Sequence, residues 1–418
     1  MASSARTAAG FLPMTGSSRS DDAITMVPRS RITRPTGPRR WWTAADSPWT
    51  AKYSRWRGVG AGCANVGENR PPVRGGLMTT TGPVTDATID SASPVPRNPR
   101  GHAVRTVDLA YSTFRCDQSG RVLTVRVDAP PFNFMTAAMQ EDFIRLVAAV
   151  ARDSSVGAVI VTGGVPGRYI THYDIADLLH SAGTGRPMPR AVASLVVRSI
   201  KTISSVGGEP ARRLLQRTPA ASLARLGQFQ AACAAILHSP AVWIAAIDGP
   251  CGGGGIELSG YFDLRVAARD ASFMLPELSI GLSTTFGAKR LAALVGPSRA
   301  LKIMLDARAL TATEAEEAGW VDVISDDDVV VDAQSLAGLY SRRPRDVIAA
   351  QKALLNDTVP MSESLTREAI DQTVGLPSAS TRAALTLWLK MQNPAGDSTF
   401  LTDPEPFQAG TALDLNAS

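Results

Sequence analysis

The sequence predicts an α/β fold, because strand patterns and helix patterns alternate through its middle part. The run RVLTVRVDA at 121–129 alternates apolar and polar residues, as a half-buried strand does. Next comes MTAAMQEDFIRLVAAVARD at 135–153, whose apolar residues recur with the spacing of an amphipathic helix. VGAVIVTGG at 156–164 and AVWIAAIDG at 241–249 are continuous apolar runs that end in glycine. Such runs are typical of buried strands.

Residues 1–100 are expected to form a disordered basic tail, since they are rich in Ser, Thr, Pro, Gly and Arg and lack sustained apolar periodicity. The first 77 residues hold twelve Lys and Arg against four Asp and Glu. Two interpretations stay open: an organelle transit peptide, or a natural start near Met78 with a mis-assigned upstream segment. The rest of the chain is close to neutral, so the net charge of +5 gives no reason to expect a nucleic-acid partner.

The remaining composition favours a cytoplasmic protein without a membrane partner. No apolar run approaches the roughly 18 residues that a membrane-spanning helix needs. The cysteines show no C-x-x-C pairing and no histidines at metal-ligand spacing, so free thiols and no metal site are expected. They are Cys63, Cys116, Cys233 and Cys251.

Composition also divides the chain into regions. The predicted regions are a tail at 1–100, a core at 101–335 with a helical insertion at about 183–225, a helical region at 336–393, and a tail at 394–418. The insertion carries eight Lys and Arg, and its only acidic residue is Glu209. It is interpreted either as a solvated helical insertion or as an electropositive flap for a phosphate-bearing ligand.

Helix signals dominate after about residue 300. Thr313 with Glu316 fits a capping box inside TATEAEEAGWVDVI at 311–324. Three further helices are predicted at 344–356, 362–374 and 378–392.

The strongest local feature is DGPCGGGGIELSGYFDLRVAA, in which four glycines separate a buried strand from a helix-like segment. Glycine allows a ligand to approach the backbone closely, and a helix N-terminus presents unpaired N–H groups. The spacing matches neither G-x-x-x-x-G-K-[ST] nor G-x-G-x-x-G, so a nucleotide loop is disfavoured. An oxyanion hole, in which N–H groups polarise a carbonyl, is the favoured interpretation.

Two glutamates accompany this loop. Glu257 follows the last glycine by two residues, where helix-dipole complementarity alone would also explain it. Glu277 lies among apolar residues in ASFMLPELSIGL, where desolvation would raise its pKa toward useful acid–base values. Two carboxylates beside one polarised carbonyl could add or remove water, or move a proton along an acyl chain.

Between about 104 and 360 the chain resembles the crotonase superfamily of enoyl-CoA hydratases and isomerases. The resemblance rests on several segments in order: DAPPFNFM, VGAVIVTG, YITHYDIADLL, PAVWIAAIDGPCGGGGIEL, FMLPELSIGL and ALTATEAEEAGWVDVI. It implies a crotonase-like spiral of repeated ββα units, with a C-terminal helical region that builds homotrimers or hexamers. No cofactor is implied, since coenzyme A is part of the acyl-CoA thioester substrate.

The resemblance also implies roles for individual residues. The oxyanion N–H donors map onto Tyr173 and Gly254, and the two hydratase glutamates map onto Glu257, which would activate water, and Glu277, which would exchange a proton at the α-carbon. Further substrate-binding positions are expected at Phe132, Phe134, Thr171, His172, Asp174, Ile175, Gly253, Pro276 and Leu282.

Two departures from the family pattern stand out. His172 replaces the usual glycine of the oxyanion turn, either as a packing residue or as an added polar group near the thioester. The loop STTFGAKRL is shorter than usual and keeps only Gly287.

Retention of both glutamates favours an enoyl-CoA hydratase, which adds water across the double bond of a 2-trans-enoyl-CoA in fatty acid or related acyl-CoA metabolism. A Δ3–Δ2 enoyl-CoA isomerase or another crotonase-type acyl-CoA enzyme is the alternative. A third hypothesis is a catalytically impaired acyl-CoA-binding protein.

Overall fold

The computed structural model describes residues 105–357, 361–413 and 415, so the predicted disordered region 1–100 lies outside the described residues. The strands are β1 (Phe114–Ser119), β2 (Val122–Val127), β3 (Ala158–Gly163), β4 (Val242–Ile247), β5 (Cys251–Gly252), β6 (Leu264–Ala268), β7 (Ser272–Met274), β8 (Leu310–Thr311) and β9 (Val323–Ser325). The helices are α1 (Ala137–Arg152), α2 (Ile175–Thr184), α3 (Arg190–Val206), α4 (Gly208–Leu215), α5 (Ala221–Ile236), α6 (Gly254–Ser259), α7 (Ala288–Val295), α8 (Pro297–Asp306), α9 (Ala312–Ala318), α10 (Val329–Tyr340), α11 (Arg345–Asn356), α12 (Met361–Gly375), α13 (Ala379–Met391), α14 (Thr399–Thr402) and α15 (Glu405–Gln408).

A six-stranded sheet forms the centre of the molecule, with the strand order β1-β2-β3-β4-β6-β9. β1 pairs with β2 in the antiparallel sense, and the remaining pairs are parallel. A smaller sheet has the order β5-β7-β8. The predicted strands correspond to β2, β3 and β4, so the α/β prediction is confirmed.

The continuous apolar run of β3 has a physical reason, because both faces of the strand are covered. Val159 and Val161 face one core cluster together with residues of α1 and α5. Ala158 and Ile160 point to the opposite face and pack in a second cluster with residues of α10. A strand covered by helices on both faces needs apolar residues at every position.

The insertion folds as helices that pack on α12. Arg198 pairs with Glu363 at 2.8 Å, and Arg190 pairs with Asp371. The ammonium group of Lys201 donates to the hydroxyl of Thr366 at 2.8 Å. Three of the eight basic residues of the insertion are therefore engaged by side chains of one helix.

Among the described residues, no helix combines the length and the apolar character that crossing a membrane requires.

The capping box lies two residues earlier than predicted. Thr311, rather than Thr313, caps α9: its hydroxyl accepts from the N–H of Glu314, and the Glu314 carboxylate accepts from the N–H of Thr311. The predicted pair of Thr313 with Glu316 is therefore wrong. A second Thr and a second Glu at the same spacing made the pattern ambiguous.

Residues 394–413, expected as a tail, pack on the rest of the molecule. They form α14 and α15, and the rings of Phe400 and Phe407 are buried in a core cluster with Trp388 of α13. The ring centroids of Phe400 and Phe407 lie 5.6 Å apart. Two buried aromatic rings are sufficient to fix this short segment.

Replacing Phe407 by alanine should destabilise the protein by about 3–5 kcal/mol, since it removes a buried ring. Urea denaturation of the variant and of the wild type measures this difference. Leu305→Ala, at a side chain that is 63% exposed, is the control and should change stability much less. Equal effects of the two substitutions would contradict the packing described here.

Candidate active site

The loops that follow β3 and β4 meet at one edge of the sheet, because these strands are parallel neighbours. The N–H of Gly252 donates to the carbonyl of Ile170 at 3.3 Å. A Cβ added to Gly254 would lie 2.7 Å from the ring of Tyr173. The side-chain ring of the turn thus packs directly on the glycine loop, which only glycine permits at position 254.

Two backbone N–H groups lie at this meeting point. Within the part of the chain that the structure describes, neither the N–H of Tyr173 nor that of Gly254 donates a hydrogen bond. The carbonyl of His172 accepts from the N–H of Met135 at 2.7 Å. Since the two groups of a trans peptide point in opposite directions, this bond turns the Tyr173 N–H away from Met135. The Gly254 N–H is free because it opens α6.

Glu257 lies on α6 and is only 3% exposed. Its Oε1 accepts three backbone N–H groups, from Thr285 at 2.6 Å, Phe286 at 3.0 Å and Gly287 at 3.0 Å. Its Oε2 is buried and has no partner within the described residues. One oxygen therefore fixes the carboxylate, while the other is left for a polar group that enters the site.

The loop that holds Glu257 is itself tied down by two helices. The amide of Gln230 on α5 donates to the carbonyl of Thr285 at 2.8 Å, and that of Gln372 on α12 donates to the carbonyl of Ser283 at 2.6 Å. A Cβ at Gly287 would lie 2.5 Å from Cγ of Glu257. Hence Gly287, the one glycine retained in the shortened loop, is required by the close approach of Glu257.

Glu277 opens a short 3-10 helix directly after Pro276. A Cβ added to Gly253 would lie 2.8 Å from its Oε1, so the carboxyl group adjoins the glycine loop. Its Oε2 is buried and lacks a partner in the described part of the chain. Burial raises the pKa of Glu277 to about 7, which agrees with the desolvation expected from its apolar neighbours.

The pKa of Glu257 is raised well above its usual value by burial, and the charges of Glu277 and Glu368 add to the effect. The N–H groups of residues 285–287 oppose this shift, because they stabilise the ionised carboxylate. Several acids in one buried cluster cannot all be ionised, so the cluster retains protons near neutral pH.

Glu368 is a third buried acid that the sequence analysis missed. Its Oε2 accepts from the hydroxyl of Thr284 at 3.1 Å and from the N–H of Ala288 at 3.3 Å, which lie at the two ends of the loop that holds Glu257. Burial raises its pKa to about 7. A signal was present, since Glu368 and Gln372 fall on the same face of α12 as buried Leu365.

Tyr173 brings a further polar atom into this region. Its Oη is buried and meets no partner with full hydrogen-bond geometry among the described residues, although the Thr285 side chain lies near enough to oppose the rise in its pKa. Burial raises the pKa of this phenol well above its usual value, with the charge of Glu257 the next cause. Together with the free oxygens of Glu257 and Glu277, it leaves this site lined by polar atoms that a ligand could satisfy.

His172 is a buried, neutral residue. Burial lowers its pKa to about 4. Its Nδ1 lies 2.6 Å from the carbonyl oxygen of Tyr173, and its Nε2 lies 2.7 Å from the hydroxyl of Ser398. Both ring nitrogens are therefore occupied within the protein, which favours the packing interpretation over an added polar group at the thioester.

The remaining predicted site residues lie in three places. Phe132, Phe134 and Thr171 lie beside the turn; the two rings are 5.6 Å apart, and the Thr171 hydroxyl donates to the Phe132 carbonyl at 2.6 Å. Asp174 instead caps α2 by accepting from two N–H groups of its first turn. Ile175 and Leu282 are buried in a separate apolar cluster with residues of α13.

The space beside Glu257 is narrow. It is a crevice with no room for a water molecule, and it is lined by nine residues: Ile256, Glu257, Gly260, Leu275, Thr284, Gly287, Leu291, Met304 and Trp320. Pockets for small molecules usually enclose roughly 300–1,000 Å³. A ligand that reaches both glutamates must therefore displace side chains as it enters.

The sequence is similar to a known family and to several of its members. Residues 190–382 match the family model described as enoyl-CoA hydratase/isomerase. A Bacillus subtilis protein named "Probable enoyl-CoA hydratase" is 28% identical over 242 residues, which cover 57% of this chain and 79% of that protein. A crotonyl-CoA hydratase of Syntrophomonas wolfei is 34% identical over 116 residues, which span 27% of this chain and 45% of the relative.

The fold is similar to that of solved structures. The crystal structure of an enoyl-CoA hydratase from Bacillus halodurans superimposes with a TM-score of 0.53 at 19% identity. The match covers 66% of this chain and 99% of that structure. This likeness confirms the predicted spiral architecture, in which helices form the C-terminal part.

Replacing Glu368 by glutamine should flatten the pH dependence of stability between about pH 5 and pH 8. Because the folded-state pKa of this acid is raised to about 7, its contribution to stability is complete below its unfolded pKa and is lost as the pH rises through 7. We expect a loss on the order of 2–3 kcal/mol in the wild type that the variant lacks.

Urea denaturation at several pH values measures this difference. Glu363→Gln, at an exposed position of the same helix, is the matched control, since its pKa is lowered rather than raised. Parallel stability profiles of wild type and Glu368→Gln would show that Glu368 does not titrate in this range.

Proposed function

We propose that the chain is a member of the crotonase superfamily of enoyl-CoA hydratases and isomerases and that it acts as an enoyl-CoA hydratase. Its substrate would be a 2-trans-enoyl-CoA thioester, and its product the 3-hydroxyacyl-CoA. One observation carries the proposal: within the described residues, the buried carboxyl groups of Glu257 and Glu277 each keep an unpartnered oxygen, and the adjoining glycine loop and turn hold two backbone N–H groups without a partner.

The N–H groups of Tyr173 and Gly254 serve as the oxyanion hole. They donate to the thioester oxygen of the substrate. This donation polarises the carbonyl, draws electrons from the conjugated double bond and makes the β-carbon electrophilic. Their donation strengthens as negative charge develops on this oxygen in the enolate-like transition state. Neither donor needs to be freed from an internal hydrogen bond, so this stabilisation is preorganised.

Glu257 acts as the general base in this proposal. Its free Oε2 takes a proton from water while the water oxygen bonds to the β-carbon, and the π electrons move onto the thioester oxygen. The three N–H groups on Oε1 stabilise the ionised form of Glu257 and so oppose the rise in its pKa that burial causes. Glu277, whose pKa is about 7, supplies the proton that the α-carbon takes up.

Glu257→Gln and Glu277→Gln should each lower kcat for hydration by about 10²–10⁴-fold. Each substitution removes a proton transfer but keeps the shape of the side chain. Binding of the substrate should change little, since these contacts act mainly in the transition state. Loss of the enoyl absorbance, with the product identified by mass, follows the reaction. Near-normal turnover by either variant would contradict the two-carboxylate mechanism.

Glu317→Gln, an exposed position on α9, serves as the control and should retain wild-type turnover. The same product analysis separates the alternatives. Gain of one water supports the hydratase, whereas a shifted double bond of unchanged mass supports the isomerase. Binding of acyl-CoA without any turnover would favour a catalytically impaired binding protein.

A further inference from the structure

We propose that the C-terminal residues Asp397, Ser398 and Phe400 hold the turn that carries the oxyanion N–H of Tyr173, and that His172 is the positioning residue through which they act. The inference rests on the proposed function, because that function gives the turn its catalytic role. It assigns a purpose to the C-terminal segment and to the unusual histidine of the turn.

The hydrogen bonds of His172 define its tautomer. The carbonyl oxygen of Tyr173 can only accept, so Nδ1 carries the proton and donates at 2.6 Å. A neutral ring then has a lone pair on Nε2, and the hydroxyl of Ser398 donates to it at 2.7 Å. The imidazole therefore links a serine of the C-terminal segment to the backbone of the turn.

The ring is also enclosed by aromatic side chains. Phe134 stacks on it with a centroid distance of 4.6 Å and an interplanar angle of 23°. Trp388 and Phe400 meet it edge to face at 5.4 Å and 5.6 Å. With its faces and edges covered, the ring has no room to change rotamer, so its hydrogen bonds are held in direction.

A second link joins the C-terminal segment to the start of the turn. The carboxylate of Asp397 pairs with Arg168 at 2.7 Å, and both side chains are largely buried. The other oxygen of Asp397 accepts the N–H of Ser398 at 2.7 Å, which orients the serine. Residues 168 and 172 are thereby held by neighbouring residues of one short segment.

These contacts determine the direction of the oxyanion donor. Met135 fixes the peptide before Tyr173 through the carbonyl of His172, and the imidazole fixes the peptide after it through the carbonyl of Tyr173. Both backbone dihedral angles of Tyr173 are consequently restrained. The N–H of Asp174, in the same peptide, also donates to the carbonyl of Met135 at 3.1 Å, so the imidazole adds a second bond to this peptide that a glycine at 172 would lack.

Ser398→Ala and His172→Phe test the proposal. The first removes the hydroxyl that bonds to the imidazole, and the second keeps an aromatic ring but removes both hydrogen bonds. Each variant should show faster amide hydrogen exchange in peptides covering residues 168–175. Each should also show a kcat for hydration lowered by about 10-fold to 100-fold with KM nearly unchanged, as expected when a positioned donor loses its alignment.

Thr411→Ala, which removes an exposed hydroxyl from the same C-terminal segment, is the control and should change neither quantity. Unchanged exchange in Ser398→Ala would overturn the proposal, as would faster exchange with unchanged kcat. Because exchange is measured without substrate, a wild type that turns over no enoyl-CoA would refute the hydratase function alone, while exchange would still decide whether the segment holds the turn.

Discussion

The site is organised around one constraint, which is that the carboxylate of Glu257 lies inside the core. A buried carboxylate is costly unless several donors surround it. Three consecutive N–H groups of residues 285–287 meet one of its oxygens. This requires a loop that curls around the side chain and a glycine at 287, where a Cβ would collide with Glu257. The neighbouring backbone is thus shaped by the hydrogen bonds that one buried carboxyl group accepts.

The loop of residues 283–288, which surrounds Glu257, is held in place by contacts with two helices. Gln230, Glu368 and Gln372 hold it from two helices, and α12 contributes two of the three. The same helix receives the basic residues Arg190 and Arg198 of the insertion on another face. The C-terminal helices therefore support the loop that holds Glu257.

The sequence predicted those parts of the molecule that local chemistry determines. The strands are recognisable because burial on both faces demands apolar runs, and Glu277 is conspicuous as a carboxyl group among apolar neighbours. Glu368 escaped notice because its significance depends on a loop 80 residues earlier in the chain, at Ala288. Ser398 escaped for the same reason, since 226 residues separate it from His172. Helix periodicity can place Glu368 on a buried face, but no local pattern identifies the distant partner in such long-range contacts.

The narrow crevice beside Glu257 has a thermodynamic consequence for ligand affinity. If only a fraction of molecules has the side chains displaced enough to admit a ligand, the apparent dissociation constant exceeds the intrinsic one by the inverse of that fraction. Each tenfold decrease in the open population weakens apparent affinity by about 1.4 kcal/mol. Under the proposed function, acyl groups that differ in bulk would then be selected by the cost of the opened state that each requires, as well as by the contacts each makes once bound.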